Sequence, residues 1–129
     1  IACALGNHAC EQGFQTTYFN MNKLVDVWQE SKKDGTYHKL FKKLIHTKLL
    51  ILDDFGLAPL DYNMKLALLQ IIEDRYENHA TILVAQLPVA KWYEYIAEPT
   101  LADAILDRLT AKAHRIELSG PSKRTKLNL

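Results

Sequence analysis

The 129-residue sequence contains few cysteines and lacks long apolar runs. Its two cysteines, Cys3 and Cys10, lie roughly 10 Å apart along a predicted helix, which exceeds the reach of a disulfide. We therefore expect two buried thiols in a protein of the reducing cytoplasm. No apolar run approaches the roughly 18 residues of a membrane span, and no basic segment introduces a signal peptide, so we predict no membrane association.

The sequence also lacks a zinc-binding pattern and an excess of one charge. None of the five histidines has metal-ligand spacing with the cysteines, so we predict no zinc site. Sixteen basic residues against fifteen acidic ones give a net charge of +1, which indicates no particular partner. The basic residues are nevertheless clustered at 32–48 and 123–126. Each cluster is either a solvated face or a surface for a phosphate backbone.

A run of four aliphatic residues at 49–52 predicts a strand that is buried on both faces, as in a parallel sheet. Asp53 and Asp54 follow it directly. Ligands of open α/β sheets bind beyond the carboxyl ends of the strands, so this position favours a functional site. A polar turn in which aspartate caps backbone N–H groups explains the same residues equally well.

A second apolar run at 80–85 predicts another buried strand, and the polar Gln86 follows it. If the two strands are neighbours, Asp53, Asp54 and Gln86 converge on one crevice. Two carboxylates and an amide suit a metal–phosphate site, in which one acid holds Mg²⁺ and the other orients a water molecule.

Helical patterns separate these runs, which predicts a doubly wound α/β fold with strands also at 16–19 and 113–118. In the first helix we expect Cys3, Leu5 and Ala9 to face inward. Four polar residues are predicted helix caps, with Asn20 and Asn22 as alternatives for the second helix: Asn20, Asn22, Thr36 and Asp61. An aromatic cluster at 92–95 indicates a helix packed on the sheet more strongly than a base-stacking surface.

Five segments together resemble the IstB-like ATP-binding proteins, AAA+ helpers of insertion-sequence transposition that are related to the DnaC helicase loaders. The segments are LLILDDFG (49–56), IEDRYE (72–77), AQLPVAKW (85–92), PTLADAILDRL (99–109) and AHRIEL (113–118). The resemblance covers essentially the whole chain. It implies one AAA+ ATPase domain over residues 1–129, with a P-loop NTPase three-layer sandwich, a mostly parallel sheet, and ATP and Mg²⁺ as cofactors.

The resemblance also implies roles for five residues. Asp53 matches the Walker B acid that holds Mg²⁺, Asp54 the acid that polarises the hydrolytic water, and Gln86 the sensor 1 residue. Arg108 matches an arginine finger for the ATP of the next subunit; the alternative is an ion pair with an aspartate of its own helix. Arg124 resembles a nucleotide-contacting basic element, although a solvated tail also explains it.

A P-loop requires the pattern Gly-x-x-x-x-Gly-Lys-Ser/Thr, and none of the five glycines is followed by lysine. The family carries this loop and its strand just before the helix that begins here at Ile1. The missing strand would lie between the last strand and the strand at 80–85. We therefore expect an N-terminally truncated domain whose natural sequence extends upstream.

The resemblance implies that the full-length protein is an ATPase that oligomerises on DNA and delivers target DNA to a transposase. Double-stranded DNA is the expected substrate. Two alternatives remain open. One is a helicase loader that acts on single-stranded DNA, and the other is a non-catalytic interaction domain that keeps the same scaffold.

Overall fold

A computed structural model describes residues 2–111, in which helices alternate with three strands. The elements are α1 (Ala2–Glu11), β1 (Thr16–Asn20), α2 (Met21–Asp34), α3 (Tyr37–His46), β2 (Leu49–Asp53), α4 (Tyr62–Arg75), β3 (Ala80–Leu83), a 3-10 turn (Val89–Lys91), α5 (Trp92–Ile96) and α6 (Pro99–Thr110). The strand predicted at 113–118 and the basic tail with Arg124 lie outside the described residues. Among the described helices, none is long and apolar enough to cross a membrane.

The strands form one parallel sheet in the order β1-β2-β3. Asn20 pairs with Asp53 at the end of β1 and β2, and Leu52 pairs with Leu83 at the end of β3. Because all three strands run the same way, their carboxyl ends meet at one edge of the sheet. The predicted α/β fold with a parallel sheet is therefore confirmed.

The central strand β2 is buried on both faces, as its four consecutive aliphatic residues predict. Leu50 and Leu52 belong to the main core, together with apolar side chains of α2 to α6. Ile51, on the other face, lies against α1. Each of the three is no more than 1% exposed, so helices cover both sides of β2.

Helix α1 packs through a glycine instead of the predicted apolar stripe. Gly6 is buried, whereas Leu5 is 47% exposed and Cys10 is exposed. A Cβ atom added at Gly6 would lie 2.9 Å from Ile51 Cδ1, so the absent side chain lets the helix backbone approach the sheet. The inward orientation predicted for Leu5 and the buried thiol predicted for Cys10 are therefore wrong.

Strand β3 is less buried than its apolar sequence predicts. Ala80 is exposed, and the remaining residues of the strand are only half-buried. Within residues 2–111, β3 pairs with β2 on one side and has no strand on the other. Its outer position explains why the prediction of a fully buried strand is wrong.

Two of the predicted helix caps are confirmed. The side chain of Asn20 accepts the backbone N–H of the second residue of α2, and Asp61 accepts an N–H in the first turn of α4. Thr36 precedes α3 but does not cap it. Its N–H and hydroxyl both donate to the Asp34 carboxylate, so its side chain is already engaged before the helix begins.

Arg75, the last residue of α4, is a buried cation that links three elements. It is 1% exposed and donates to acceptors at the end of α3, in the segment after it and in β3. These acceptors are the carbonyls of Leu44, Ile45, Thr47 and Ala80 and the hydroxyl of Thr81. Burial lowers the pKa of Arg75 to about 10, so the guanidinium remains charged at neutral pH.

We expect Arg75→Lys to lower the free energy of unfolding by about 3 kcal/mol, because an ammonium group cannot reach acceptors in so many directions and leaves buried carbonyls unsatisfied. Urea unfolding measures the change. Arg108→Lys, at a partly exposed arginine of α6, is the matched control and should change stability by less than about 0.5 kcal/mol. Equal effects of the two substitutions would contradict a structural role for Arg75.

Candidate functional site

The two acids after the apolar run occupy different backbone conformations. Asp53 is the last residue of β2, whereas Asp54 has φ 57°, in the left-handed region that aspartate and asparagine adopt more readily than most residues. The Asp54 N–H donates to Asp53 Oδ1 over 2.8 Å, and both residues are half-buried. The chain therefore turns between the two carboxylates at the carboxyl edge of the sheet.

Two side chains of β1 bind these acids. The Tyr18 hydroxyl donates to Asp53 Oδ2 over 2.5 Å, and Asn20 Nδ2 donates to Asp54 Oδ2 over 2.6 Å. The sequence pattern predicts Tyr18 only as part of a strand and Asn20 only as a helix cap. A polar residue at a strand end, the signal that selected Gln86, would also have selected Asn20.

Asp54 and Gln86 line the same surface cavity, which has a volume of about 270 Å³. Backbone hydrogen bonds between the two chain segments continue past the carboxyl end of β3. The Val84 N–H donates to the Leu52 carbonyl, and the Phe55 N–H donates to the Val84 carbonyl. This pairing keeps Gln86 at the same edge of the sheet as the acids. The residues that line the cavity are Asp54, Phe55, Gly56, Leu57, Gln86, Leu87 and Pro88.

The wall of this cavity is held by an aromatic cluster. Phe55 packs edge-on against Trp92 and Tyr95, with ring centroids 5.2 Å apart in each pair. Trp92 Nε1 donates to the Leu87 carbonyl over 2.7 Å, and Tyr95 donates to a carbonyl of the loop after Phe55. Burial raises the pKa of Tyr95, which keeps its hydroxyl protonated as a donor. The predicted packing role of the aromatic helix is confirmed for these two residues.

Gly56 allows the loop after β2 to lie close to Leu87, which also lines the cavity. Its φ is 94°, and an added Cβ would lie 3.0 Å from two side-chain atoms of Leu87. A side chain at this position would therefore combine backbone strain with crowding.

Arg108 lies away from the cavity. Its guanidinium forms an ion pair of 2.7 Å with Asp107 and lies 5.5 Å from the ring centroid of Tyr76. Tyr76 directly follows α4, near the edge of the sheet where the strands begin. An ion pair within α6, the predicted alternative to an arginine finger, is thus present, although an exposed pair of this kind contributes little to stability.

The acids suit a divalent cation that is bound together with phosphate. Among residues 2–111, no group of three or more histidine, cysteine, aspartate or glutamate side chains could hold a metal ion. Mg²⁺ commonly uses one or two carboxylates and completes its shell with phosphate oxygens and water. Among the described residues, each oxygen of Asp53 accepts one hydrogen bond, which leaves lone pairs for a cation. The donor set therefore fits Mg²⁺ bound with a nucleotide.

Comparison with known proteins identifies the family. The model of the IstB-like ATP binding protein family matches residues 1–129. The chain belongs to this family. The IstB-like chain is 48% identical over 124 residues to the insertion sequence ATP-binding protein y4pL of Sinorhizobium fredii, covering 96% of this chain and 51% of that protein. It spans about half the length of the curated relatives it matches.

Solved structures similar to the IstB-like chain are those of AAA+ P-loop NTPases. DnaI superposes with a TM-score of 0.77 at 18% identity, covering 88% of this chain and 63% of DnaI. AMPPCP-bound DnaA from Aquifex aeolicus gives 0.65 at 17% identity, covering 77% and 31%. The DnaC helicase loader gives 0.61 at 20% identity, covering 78% and 61%. At these identities the likeness supports the fold alone.

Proposed function

We propose that this chain is the ATP-hydrolysing part of a cytoplasmic AAA+ helper of DNA transposition. The observation that carries the proposal is the shared position of Asp54 and Gln86 on one cavity, with Asp53 beside it, at the carboxyl edge of a parallel sheet. Membership of the IstB-like ATP binding family and the name of y4pL support the same function.

The side chains at this edge have separate roles in the proposed mechanism. Bound ATP and Mg²⁺ supply the reactive phosphoryl group and the cation that neutralises its charge. Asp53 holds the cation directly or through water, and Asp54 polarises the attacking water. Because Asn20 occupies Asp54 Oδ2, the Oδ1 atom is the natural acceptor for that water. Gln86 contacts the γ-phosphate or the same water.

Two arginines complete the proposed site. Arg108 serves the nucleotide of a neighbouring subunit, which agrees with its distance from the cavity of its own chain. An arginine supplied in this way stabilises transition-state charge. Arg124 contacts the nucleotide in our proposal, although it lies outside the described residues. Assembly into an oligomer is therefore part of the mechanism.

Ordinary assays on the full-length protein test this function. We expect Mg²⁺-dependent ATP hydrolysis that is stimulated by duplex DNA, and retention of a transposase on that DNA only when ATP is present. A protein that does not bind ATP would instead favour the non-catalytic scaffold. ATP hydrolysis without nucleotide-dependent transposase retention would remove the transposition role and leave the ATPase.

The proposed DNA surface consists of three exposed lysines on α3, Lys39, Lys42 and Lys43, which we call the lysine surface. No acidic residue occurs between positions 35 and 52. Lys32 is nearby in sequence, but its Nζ already lies 4.2 Å from the ring centroid of Tyr37. The lysine surface is therefore the better candidate for contacts with phosphate.

Replacing all three residues of the lysine surface with alanine should weaken duplex binding and reduce the slope of log affinity against log salt by about 2 to 3, because each phosphate contact contributes roughly 0.9. A salt series of binding titrations measures the slope. Lys91→Ala is the control, since Lys91 is exposed on a different element and lies 4.0 Å from Glu94. An unchanged slope in the triple variant would rule out this surface.

A helicase loader is the second candidate function, because the IstB-like proteins that the sequence resembles are related to the DnaC helicase loaders, whose fold this chain shares. The same salt series distinguishes the two. Strong selectivity for single-stranded DNA at every salt concentration would favour the loader, whereas preference for duplex DNA favours the transposition helper.

Asn20 offers a test that separates helix capping from catalysis. Asn20→Ser keeps a capping oxygen but removes the amide that binds Asp54, and Asn20→Asp also keeps a cap but adds a negative charge. We expect Asn20→Ser to change the free energy of unfolding by less than about 0.5 kcal/mol, and Asn20→Asp to be less stable because its carboxylate faces that of Asp54. Hydrolysis should fall in both variants, and further in Asn20→Asp. Steady-state hydrolysis and urea unfolding measure the two effects. Equal hydrolysis in all three proteins would contradict a role for Asn20 at Asp54.

A further inference from the structure

Tyr18 binds the acid to which the proposed mechanism assigns the cation. In the parallel register Tyr18 pairs with Ile51, so Asp53 lies two residues further along β2 on the same face of the sheet. The phenol reaches diagonally across the pair and donates to Asp53 Oδ2 over 2.5 Å. The backbone N–H of Asp54 donates to the other oxygen over 2.8 Å.

These two donors together fix the orientation of the Asp53 carboxylate. The backbone N–H alone restrains one oxygen, and the phenol restrains the second, so rotation of the carboxylate would break a hydrogen bond. An ionised carboxylate has about four lone-pair sites, and the two hydrogen bonds found among residues 2–111 use two of them. The remaining sites stay available to a divalent cation or its water shell.

We propose that Tyr18 is a positioning residue that holds Asp53 in the orientation required for a divalent cation bound with the nucleotide. This proposal rests on the proposed function, because it assigns a role within that site. A residue that hydrogen-bonds a metal-binding carboxylate commonly raises the metal affinity by about 10-fold to 100-fold. Tyr18 acts through Asp53 and does not itself contact the reacting atoms.

A purely structural role for the hydroxyl is less consistent with its surroundings. Tyr18 is 47% exposed on β1, the outer strand on its side of the described sheet, whereas the neighbouring Thr17 is buried. Tyr18→Phe removes one oxygen atom from a largely accessible side chain and leaves no buried cavity. We therefore expect a small effect of this substitution on the free energy of unfolding.

Mn²⁺ is a suitable probe, since its binding to the full-length protein with AMPPCP can be followed by electron paramagnetic resonance. We expect Tyr18→Phe to weaken Mn²⁺ binding about 10-fold, with unchanged affinity for AMPPCP in the absence of metal. The Mg²⁺ concentration for half-maximal hydrolysis should rise by a similar factor, and excess Mg²⁺ should restore the maximal rate. Tyr62→Phe, which removes a hydroxyl from an exposed tyrosine of α4, is the control.

The outcomes separate this proposal from the proposed function. If the parent protein binds nucleotide with Mn²⁺ and Tyr18→Phe binds Mn²⁺ equally well, the role of Tyr18 is wrong and the ATPase stands. If Tyr18→Phe lowers hydrolysis by the same factor at every Mg²⁺ concentration, the hydroxyl acts through stability or another step and the proposal is overturned. If the parent protein binds neither nucleotide nor Mn²⁺, the proposed function and the role of Tyr18 both fail.

Discussion

Replacing Arg108 with alanine is expected to lower DNA-stimulated ATP hydrolysis by about 10³-fold to 10⁵-fold, the range for an arginine supplied to a neighbouring nucleotide. ATP binding by the same protein should remain unchanged. In the described structure Arg108 contacts Asp107 and Tyr76 and lies away from the cavity with Asp54. Its loss therefore removes no contact from the nucleotide site of its own chain.

Two matched variants distinguish an arginine finger from an ion pair. Asp107→Asn removes the partner of Arg108 but keeps the guanidinium, so we expect hydrolysis close to that of the parent protein. Arg108→Lys keeps the charge but loses the planar fork of donors, so we expect it to restore little activity. Lost ATP binding in Arg108→Ala, with normal hydrolysis per bound nucleotide, would contradict the assignment.

Asp54→Asn is expected to reduce ATP hydrolysis by about 10²-fold to 10⁴-fold, the usual contribution of a group that accepts a proton from the attacking water. The fold should tolerate this change for two reasons. Asparagine readily adopts the positive φ of position 54, and its side-chain oxygen can still accept the amide of Asn20. ATP binding should persist, so single-turnover hydrolysis of bound ATP is the appropriate measurement.

Asp74→Asn is the matched control for Asp54→Asn, because Asp74 is an exposed aspartate on α4 that interacts with Gln70 of the same helix. It should hydrolyse ATP at the parent rate. Normal single-turnover hydrolysis in Asp54→Asn would show that this carboxylate does not act on the water.

The two inactive variants also provide a joint test when they are mixed. An Arg108→Ala subunit still has Asp54 in its nucleotide site. If its neighbour is an Asp54→Asn subunit, that neighbour can supply the intact Arg108. At equal mixing, about one quarter of interfaces in a cyclic assembly would be complete, so hydrolysis should partly return. No recovery in an assembly that demonstrably contains both variants would mean that Arg108 acts within its own chain or elsewhere.

The sequence was most informative where apolar residues form an uninterrupted run. Four consecutive aliphatic residues at 49–52 predicted a strand buried on both faces, and β2 has that environment. Such a run cannot reveal whether the strand has neighbours on both sides. The similar run at 80–85 forms β3, which lies at the outer side of the described sheet and is only half-buried.

The sequence was misleading where close packing depends on an absent side chain. Counting apolar residues in α1 selected Leu5, but the helix approaches the sheet through Gly6. A glycine is not counted as an apolar residue in a sequence pattern, although its lack of a side chain lets the helix backbone lie closest to the sheet. The buried role of Arg75 was missed for a related reason, since its acceptors are mostly backbone carbonyls, which no sequence pattern displays.

Part of the candidate site could be predicted because position along a strand determines the edge at which a residue lies. Asp53, Asp54 and Gln86 all follow or end strands, and the parallel sheet brings them to one edge. The partners Tyr18 and Asn20 depend on the pairing of β1 with β2, which requires the register as well as the strand positions. The roles of all five residues remain predictions.

A structure of the full-length protein with AMPPCP and Mg²⁺ would show directly whether the acids at the carboxyl edge of the sheet bind the nucleotide. We expect the γ-phosphate at the cavity between Asp54 and Gln86, with the cation next to Asp53. A nucleotide bound at another surface, or a γ-phosphate far from these side chains, would contradict this expectation.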